Sequence, residues 1–437
     1  MSGELHVVIL AAGEGKRMRS RHPKVLHPVA GRPMLEHVIA AVDTLECAGI
    51  HVVVGHAADE LRILLEAIGH KRLSTVEQRQ RLGTGHAVQQ AIDQIPGSAR
   101  VLVLPGDMPL IRPETLQRLC RLDAALAILS FIADDPTGYG RILRDDQQRV
   151  TGIREQRDAS TEQAAIREVN SGVLLADAGP LSDWLSRIDN RNRQGEYYLT
   201  DVVELAAGEG VEIESICCAD AGEALGANTM AQLAVLEAAL QRRYRDALLE
   251  AGVRLPCPET VQVRTSVVAG RDVVIDAGAV LEGDIELGDD VQIGVGVIVR
   301  DCRLASGTRV EPYSVLEGVE TTGACRIGPF ARLRPGTLLA ADTRIGNFVE
   351  TKNARFDSGA KASHLSYIGD AEVGPRSNLG AGTITCNYDG VDKHRTVIGA
   401  GAFILVWNRL APRPRRFRSV VPETRAPPGD CIHSPER

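Results

Sequence analysis

The sequence predicts two domains of different class joined by a helix: an α/β domain with a mainly parallel sheet, then a parallel β-helix of hexapeptide repeats. Three observations carry this reading. In the first half, short apolar runs alternate with amphipathic stretches. Leucines then recur at helical spacing over residues 230–251. From about Val263, aliphatic residues return at every sixth position, a period that fits neither an α-helix nor an alternating strand. At 437 residues the chain is also too long for a single ordinary core.

The apolar runs are Val7–Leu10, His51–Val54, Val101–Leu104, Ala127–Phe131 and Gly172–Leu175, and the stretches Met34–Leu45, Ala58–Ala67 and Gly85–Ile95 have helical spacing. Strands alternating with helices predict a sheet covered on both faces, with ligands beyond the carboxyl ends of its strands. The loops there are therefore the place to look for chemistry. After Leu10 comes Ala-Ala-Gly13-Glu-Gly15-Lys-Arg17, predicted to be a glycine turn running into a helix. Gly13 and Gly15 let backbone N–H groups approach an oxyanion, and Arg17 and Lys24 add positive charge for a polyphosphate. The third glycine of a dinucleotide fingerprint is missing, and the string is not a P-loop. A plain strand-to-helix turn with a solvated basic edge has the same wording.

Gln78 precedes a second glycine turn, Leu82-Gly-Thr-Gly-His86. Asp107 follows the buried run ending at Leu104, a natural place to hold Mg²⁺ against a triphosphate, although Asp after Gly also favours tight turns. Tyr139-Gly140-Arg141, Glu155 and Asn170-Ser-Gly172 come next, and Gly195-Glu-Tyr-Tyr-Leu-Thr-Asp201 is a polar-aromatic cluster suited to a sugar.

The stretch Leu10-Ala-Ala-Gly-x-Gly-x-Arg-Met18 with Pro23-Lys24 resembles the signature of sugar-1-phosphate nucleotidyltransferases. Read with Leu82–Ala87, Asp134–Arg141, Glu168–Gly172 and Gly195–Asp201, the resemblance narrows to the uridylyltransferase half of the bifunctional GlmU family. Lys16 departs from the usual Thr, and Pro105 from the usual Ser or Tyr. The resemblance implies a Rossmann-like domain in which Leu10, Ala11, Ala12, Gly13, Lys24, Gln78, Gly83 and Thr84 hold UTP. It places Gly140, Glu155, Asn170 and Asn228 on the sugar side, Gly106 and Asp107 at the phosphates, and Mg²⁺ on Asp107 with Asn228. Arg17 and Lys24 would carry the catalytic charge. Asn228-Thr229 also reads as a helix N-cap, which is compatible with metal binding only if Thr229 does the capping.

In the second half the period-six residues are Ile275, Leu281, Leu287, Ile293 and Val299; Leu304, Val310 and Leu316; Ile327, Leu333, Leu339 and Ile345; Val373 and Leu379. Glycine often follows, which predicts that Gly turns the corners of a solenoid. Breaks near 320 and over 350–367 are predicted to be loops leaving it. Cations, a histidine and aromatics gather there, and a His near a Glu could act as a general base toward an amine, although a lone His is more often structural. Gly346–Lys352, His364–Asp370 and Leu379–Gly390 resemble the acetyltransferase half of the same family. That implies a left-handed β-helix with His364 as the base, oriented by Glu350. Arg334, Lys352, Tyr367, Asn378 and Lys393 would bind the phosphate of glucosamine 1-phosphate, and Ala381, Asn387 and Tyr388 would touch acetyl-CoA.

The resemblance as a whole implies a cytoplasmic homotrimer that makes UDP-N-acetylglucosamine for peptidoglycan and lipid A synthesis. The alternative is a uridylyltransferase whose β-helix is only a trimerisation scaffold. Bulk properties agree with an enzyme of small molecules. With 44% hydrophobic and 24% charged residues the chain has a globular composition, and a net charge of −7 argues against general nucleic-acid binding. Nine cysteines without a Cys-x-x-Cys pair are poor material for disulfides or structural zinc, and Cys217-Cys218 reads as two buried thiols. No apolar run reaches the ~20 residues of a membrane span, and no signal-peptide pattern opens the chain.

The expected boundaries are 1–229 for the nucleotidyltransferase domain, 230–251 for the helical linker, 252–404 for the repeat domain and 405–437 for an atypical tail. The tail holds seven Arg and six Pro without an aliphatic-Gly repeat, a composition hostile to stacked strands. Leu405 and Val406 stand where the family continues with Gly-Ser. A frameshift near codon 405 accounts for this, and a specialised basic arm is the alternative.

Overall fold

The computed structural model describes residues 3–55, 58–264 and 266–405. The expected tail, Leu405 apart, lies outside the described residues. The chain divides into two compact units, Met1–Leu240 and Gln241–Arg437.

The first unit is built on a nine-stranded sheet. Its main order is Ile213–Cys217, Leu126–Ile132, Glu168–Asp177, Arg100–Pro105, Leu5–Leu10, Cys47–Val54, Leu73–Glu77. All neighbours are parallel except Glu168–Asp177, which runs against both of its partners. A hairpin of Arg141–Arg144 and Val150–Arg154 is attached to that reversed strand. Val7, Val8 and Ile9 are all fully buried, because the strand Leu5–Leu10 is covered on both faces. Val7 and Ile9 pack with Leu35 and Val38 of the helix Met34–Asp43. Val8 packs on the other face with Val88 and Ala91 of the helix Thr84–Ile92.

The predicted strands and helices are present, the helices as Met34–Asp43, Ala58–Ile68 and Thr84–Ile92. One expectation fails at the first glycine turn: a single 3-10 turn, Lys16–Met18, follows Gly15, and Arg19 at φ 52 ends it. Pro23 then keeps the chain extended, so the first α-helix waits until Met34. Cys217 is exposed, not buried, at the end of an edge strand, whereas Cys218 is buried. Successive strand residues face opposite ways, and burial pushes the Cys218 thiol up to about 12.

The expected linker is the helix Met230–Glu250, and it runs across the division between the two units. Thr229 is its cap, its hydroxyl accepting from the Gln232 N–H at 3.2 Å.

The second unit is a solenoid of parallel strands. Gln262 lies opposite Val280, Val280 opposite Ile298, and Ile298 opposite Val315, so each coil takes 17 or 18 residues, three hexads. All fourteen of the period-six residues are buried in one core. Two expectations are corrected here. The glycines directly after core positions, Gly328 apart, are not the corner residues; at Gly346 and Gly374 the backbone of the next coil passes so close that a side chain would collide with it. Corners fall three residues after the core position, at residues of positive φ: glycines at Gly278, Gly296 and Gly307, and Asp290, Tyr313 and Asp342 elsewhere. Nor does the chain leave the solenoid at 350–367. Arg344–Phe356 and Lys361–Val373 are adjacent rungs, with Thr351, Phe356, Ala362 and Ile368 in the core positions. The hydroxyl of Thr351 is satisfied by Thr337 at 2.9 Å, which lets a polar residue occupy a core place. The chain stays on the solenoid through Ile384, which bridges to Tyr367, and the long excursion is 386–395, before the strand Thr396–Ile398.

Candidate active sites

Leu10 and Pro105 end neighbouring parallel strands opposite each other, so the first glycine turn and the Gly106-Asp107 loop leave the same edge of the sheet. With the second glycine turn they border a cleft of about 730 Å³. Leu10, Ala12, Gly13, Lys24, Gln78, Gly83, Thr84 and Asp107 line it. Ala11 is packed into the core, and Gly106 lies beneath, its N–H donating to the Leu10 carbonyl at 2.9 Å. Gly15 (φ 64) and Gly83 (φ 118) hold conformations that side chains rarely adopt. A Cβ on Gly83 would also strike the Tyr197 backbone, which bonds to the turn on both sides: Tyr197 N–H to Leu82 O and Gly85 N–H to Tyr197 O. Gln78 is buried and braces the same turn by donating to the Gly83 carbonyl at 3.0 Å.

Lys24 Nζ lies 2.6 Å from Asp107 Oδ2 and 3.1 Å from Asn228 Oδ1. Because Thr229 caps the helix, the Asn228 side chain is free for this contact. A carboxylate and an amide oxygen converging on one point are hard-cation donors, and they fit Mg²⁺ provided phosphate oxygens and water complete the shell. Among the described residues no group of three or more His, Cys, Asp or Glu could hold a metal alone. Arg17 is exposed and is not among the lining residues, whereas Lys16, Arg79 and Arg81 are. Arg81 bonds Glu14 at 2.6 Å and holds its carboxyl below the usual range.

A smaller cavity of about 120 Å³ shares Leu10, Thr84 and Pro105 with the cleft and adds Glu155, Asn170, Gly172 and Thr200. Glu155 accepts from the Thr200 hydroxyl at 3.0 Å, and burial pushes its carboxyl up. Gly140 sits against it, so that a Cβ there would be 3.4 Å from Glu155 Oε1. The buried Arg141 is a brace: it donates to the Tyr139 carbonyl and to Gln156 Oε1. The Gly195–Asp201 cluster divides. Glu196 lines the cleft and Thr200 the smaller cavity, while Tyr198 and Asp201 line a separate acidic pocket. There burial, with help from Glu204 and Glu155, pushes the Asp201 carboxyl up to about 6.

On the solenoid, register brings the second set together. Glu350 lies opposite Tyr367, Asn347 opposite His364, and Lys361 opposite Asn378. Arg334 bonds Glu350 at 3.1 Å. The expectation that Glu350 orients His364 is not met: among the described residues no hydrogen bond joins them, and Glu350 is held by Arg334. Leu365, at φ 52, turns a corner between His364 and Tyr367, so the exposed histidine sits before the corner and the rung position facing Glu350 after it. Asn387 donates to Asp370, as does Asn353 at 2.7 Å. The Asn353 bond first, then that of Asn387 and the charges of Lys352 and Lys393, hold the Asp370 carboxyl down. Tyr388 is exposed and its hydroxyl donates to the Gly390 carbonyl. Ala381 lies before that excursion, on the coil between Gly380 and Gly382, whose N–H groups donate to the Ile404 and Leu365 carbonyls.

Arg79, Arg81 and Asp370 are absent from the residues singled out in the sequence. Two arginines immediately before Leu82-Gly-Thr-Gly are the only signal the first pair offers, and Asp370 is legible only through the 17-residue step back to Asn353.

A glycine loop, a lysine and an Asp–Asn pair over a parallel sheet define a nucleotidyltransferase, and residues 7–166 match the MobA-like NTP transferase domain family. The bifunctional protein GlmU of Alkalilimnicola ehrlichii is 52% identical to this chain over 405 residues, 92% of this chain and 87% of its own length. Those of Stenotrophomonas maltophilia strain K279a (52%) and Burkholderia pseudomallei strain K96243 (50%) each match 92% of this chain and 88% of their own length. The chain belongs to the bifunctional GlmU family.

Proposed function

We propose that the chain makes UDP-N-acetylglucosamine in two steps. The repeat domain, 252–404, acetylates glucosamine 1-phosphate from acetyl-CoA. The first domain, 1–229, then transfers UMP from UTP to N-acetylglucosamine 1-phosphate and releases pyrophosphate. The observation that carries the reading is the convergence of Lys24, Asp107 and Asn228 at a cleft walled by two glycine turns.

In uridylyl transfer a phosphate oxygen of the sugar phosphate attacks the α-phosphorus of UTP as the bond to pyrophosphate breaks. Both reactants are anions, so charge and alignment dominate the barrier. Lys24 supplies a cation beside the reacting phosphates, Arg17 adds positive charge from outside the cleft wall, and the amides of the Gly13 turn donate to phosphate oxygens. Gly140, Glu155 and Asn170 hold the sugar. Mg²⁺ on Asp107 and Asn228 would neutralise triphosphate charge. In acetyl transfer the amine attacks the thioester carbonyl, the C–S bond breaks, and His364 accepts the amine's proton. Arg334, Lys352, Tyr367 and Asn378 hold the sugar phosphate, and Ala381, Asn387 and Tyr388 meet acetyl-CoA.

The product suits peptidoglycan and lipid A synthesis in the cytoplasm, and the functional form is a homotrimer. No helix of the described residues is long and apolar enough to cross a membrane. The test is one purified chain assayed twice: thiol release from acetyl-CoA with glucosamine 1-phosphate, and pyrophosphate release from UTP with N-acetylglucosamine 1-phosphate. Pyrophosphate release without thiol release would reduce the function to the second step.

A further inference from the structure

The stacked strands of the second unit treat charge in two ways. On two series of rungs, opposite charges alternate in register: Arg264, Glu282, Arg300 on one and Glu286, Arg303, Glu320 on the other. Ion pairs such as Arg300–Glu282 and Arg303–Glu286 join neighbouring rungs. The third series stacks like charges, with Arg309 opposite Arg326, Arg326 opposite Arg344, and Arg344 opposite Lys361. All four are exposed. Glu311 pairs with Arg326 at 2.8 Å, while Arg309, Arg344 and Lys361 make no ion pair among the described residues. Rungs lie about 4.8 Å apart, and like charges directly opposite are destabilising. The fold therefore gains nothing from this arrangement in a protein of net charge −7.

The series leads somewhere. Its next member after Lys361 is Asn378, and Lys361 lies three residues before His364 on the same strand. We infer that the ladder Arg309–Arg326–Arg344–Lys361 is an electrostatic guide that draws phosphate-bearing substrates toward the acetyltransferase residues. It raises their rate of encounter without touching the reacting atoms. The inference rests on the acetyl-transfer reading above. A positive track of this kind raises the on-rate of anions at low salt and loses its effect once ions screen it, over a Debye length of about 8 Å at physiological ionic strength.

The experiment compares the full-length chain with the triple variant Arg309→Gln, Arg326→Gln, Arg344→Gln, and with an equal-charge control, Arg264→Gln, Arg300→Gln, Arg303→Gln. Acetyl transfer is measured across a range of ionic strength, with pyrophosphate formation and thermal melting as checks on folding. For the ladder variant kcat/KM should fall about tenfold at low salt, with kcat unchanged and the gap closing at high salt. The control should stay near the parent. Equal salt dependence in parent and ladder variant, or an equal loss in the control, would overturn the inference while leaving acetyl transfer standing. A parent with no acetyl transfer at any salt would instead remove the underlying reading, and this inference with it.

Discussion

The two units assemble their candidate sites by opposite means. In the first, three residues far apart in sequence meet at one point: Lys24 reaches across 83 residues to Asp107 and across 204 to Asn228. They stand at the end of a buried sheet, on the wall of an open cleft. In the second, residues 17 apart meet because the rungs are in register, as Glu350 meets Tyr367, and the side chains stand on the strands themselves. The first arrangement depends on every crossover of the sheet; the second needs only a coil and its neighbour. Damage to one should therefore leave the other at work.

The sharpest break is Asp107→Ala. It should lower pyrophosphate formation by on the order of 10³-fold or more while thiol release from acetyl-CoA stays near normal. Near-normal uridylyl transfer in that variant would remove Asp107 from the chemistry. His364→Ala is the mirror case: acetyl transfer should fall by on the order of 10²-fold and uridylyl transfer should persist. Equal loss of both activities would point to misfolding and to coupling between the units that the comparison denies. Gly346→Ala asks whether the solenoid fails as a coil, because a Cβ there overlaps the Ser363 carbonyl of the next rung. A loss of about 3 kcal/mol in the stability of the second unit is expected, read as an early transition in calorimetry with pyrophosphate formation surviving it. A melting curve identical to the parent's would mean that the rungs have slack.

The smallest effect concerns pH in the first unit. The folded chain holds the Asp201 proton up to about 6, above its ordinary value of 3.8. Its contribution to stability is thus present in full below about 3.8 and is lost as pH rises through about 6. Asp201→Asn should melt a few degrees above the parent at pH 7, with the gap closing toward pH 4. A gap independent of pH would assign the effect to packing instead.

Legibility in the sequence follows the same division. Ile275 through Leu379 could be placed in the solenoid core one by one, because a core position there is a matter of period alone. The period hid where Thr321, Thr351 and Ala362 took aliphatic places, and loops were expected near 320 and over 350–367 where strands run. The glycines were visible but their cause was not: close approach at Gly346 is a property of the neighbouring coil, not of the glycine's own segment. In the first unit the strands were legible as apolar runs, yet the reversal of Glu168–Asp177 was not, since a buried run carries no direction. The convergence on Lys24 came from resemblance and not from spacing, and Arg79 and Arg81 show how much of a cleft wall is set by distant folding.

The in-register coil has a consequence for how such a chain can change length. Removing one whole turn, say from Gln292 to Thr308, brings Arg309 to the place Gln292 held, against Val274, and leaves every turn beyond it with the neighbours it had. The edit acts as a translation along the axis, shortening the stack by one strand spacing. Any other deletion slips the side-chain order and turns core residues outward. Divergence in the spacing of this region should therefore be quantised in full turns, with single-residue drift confined to corners, as where Asp301 closes a turn of 17 in place of 18.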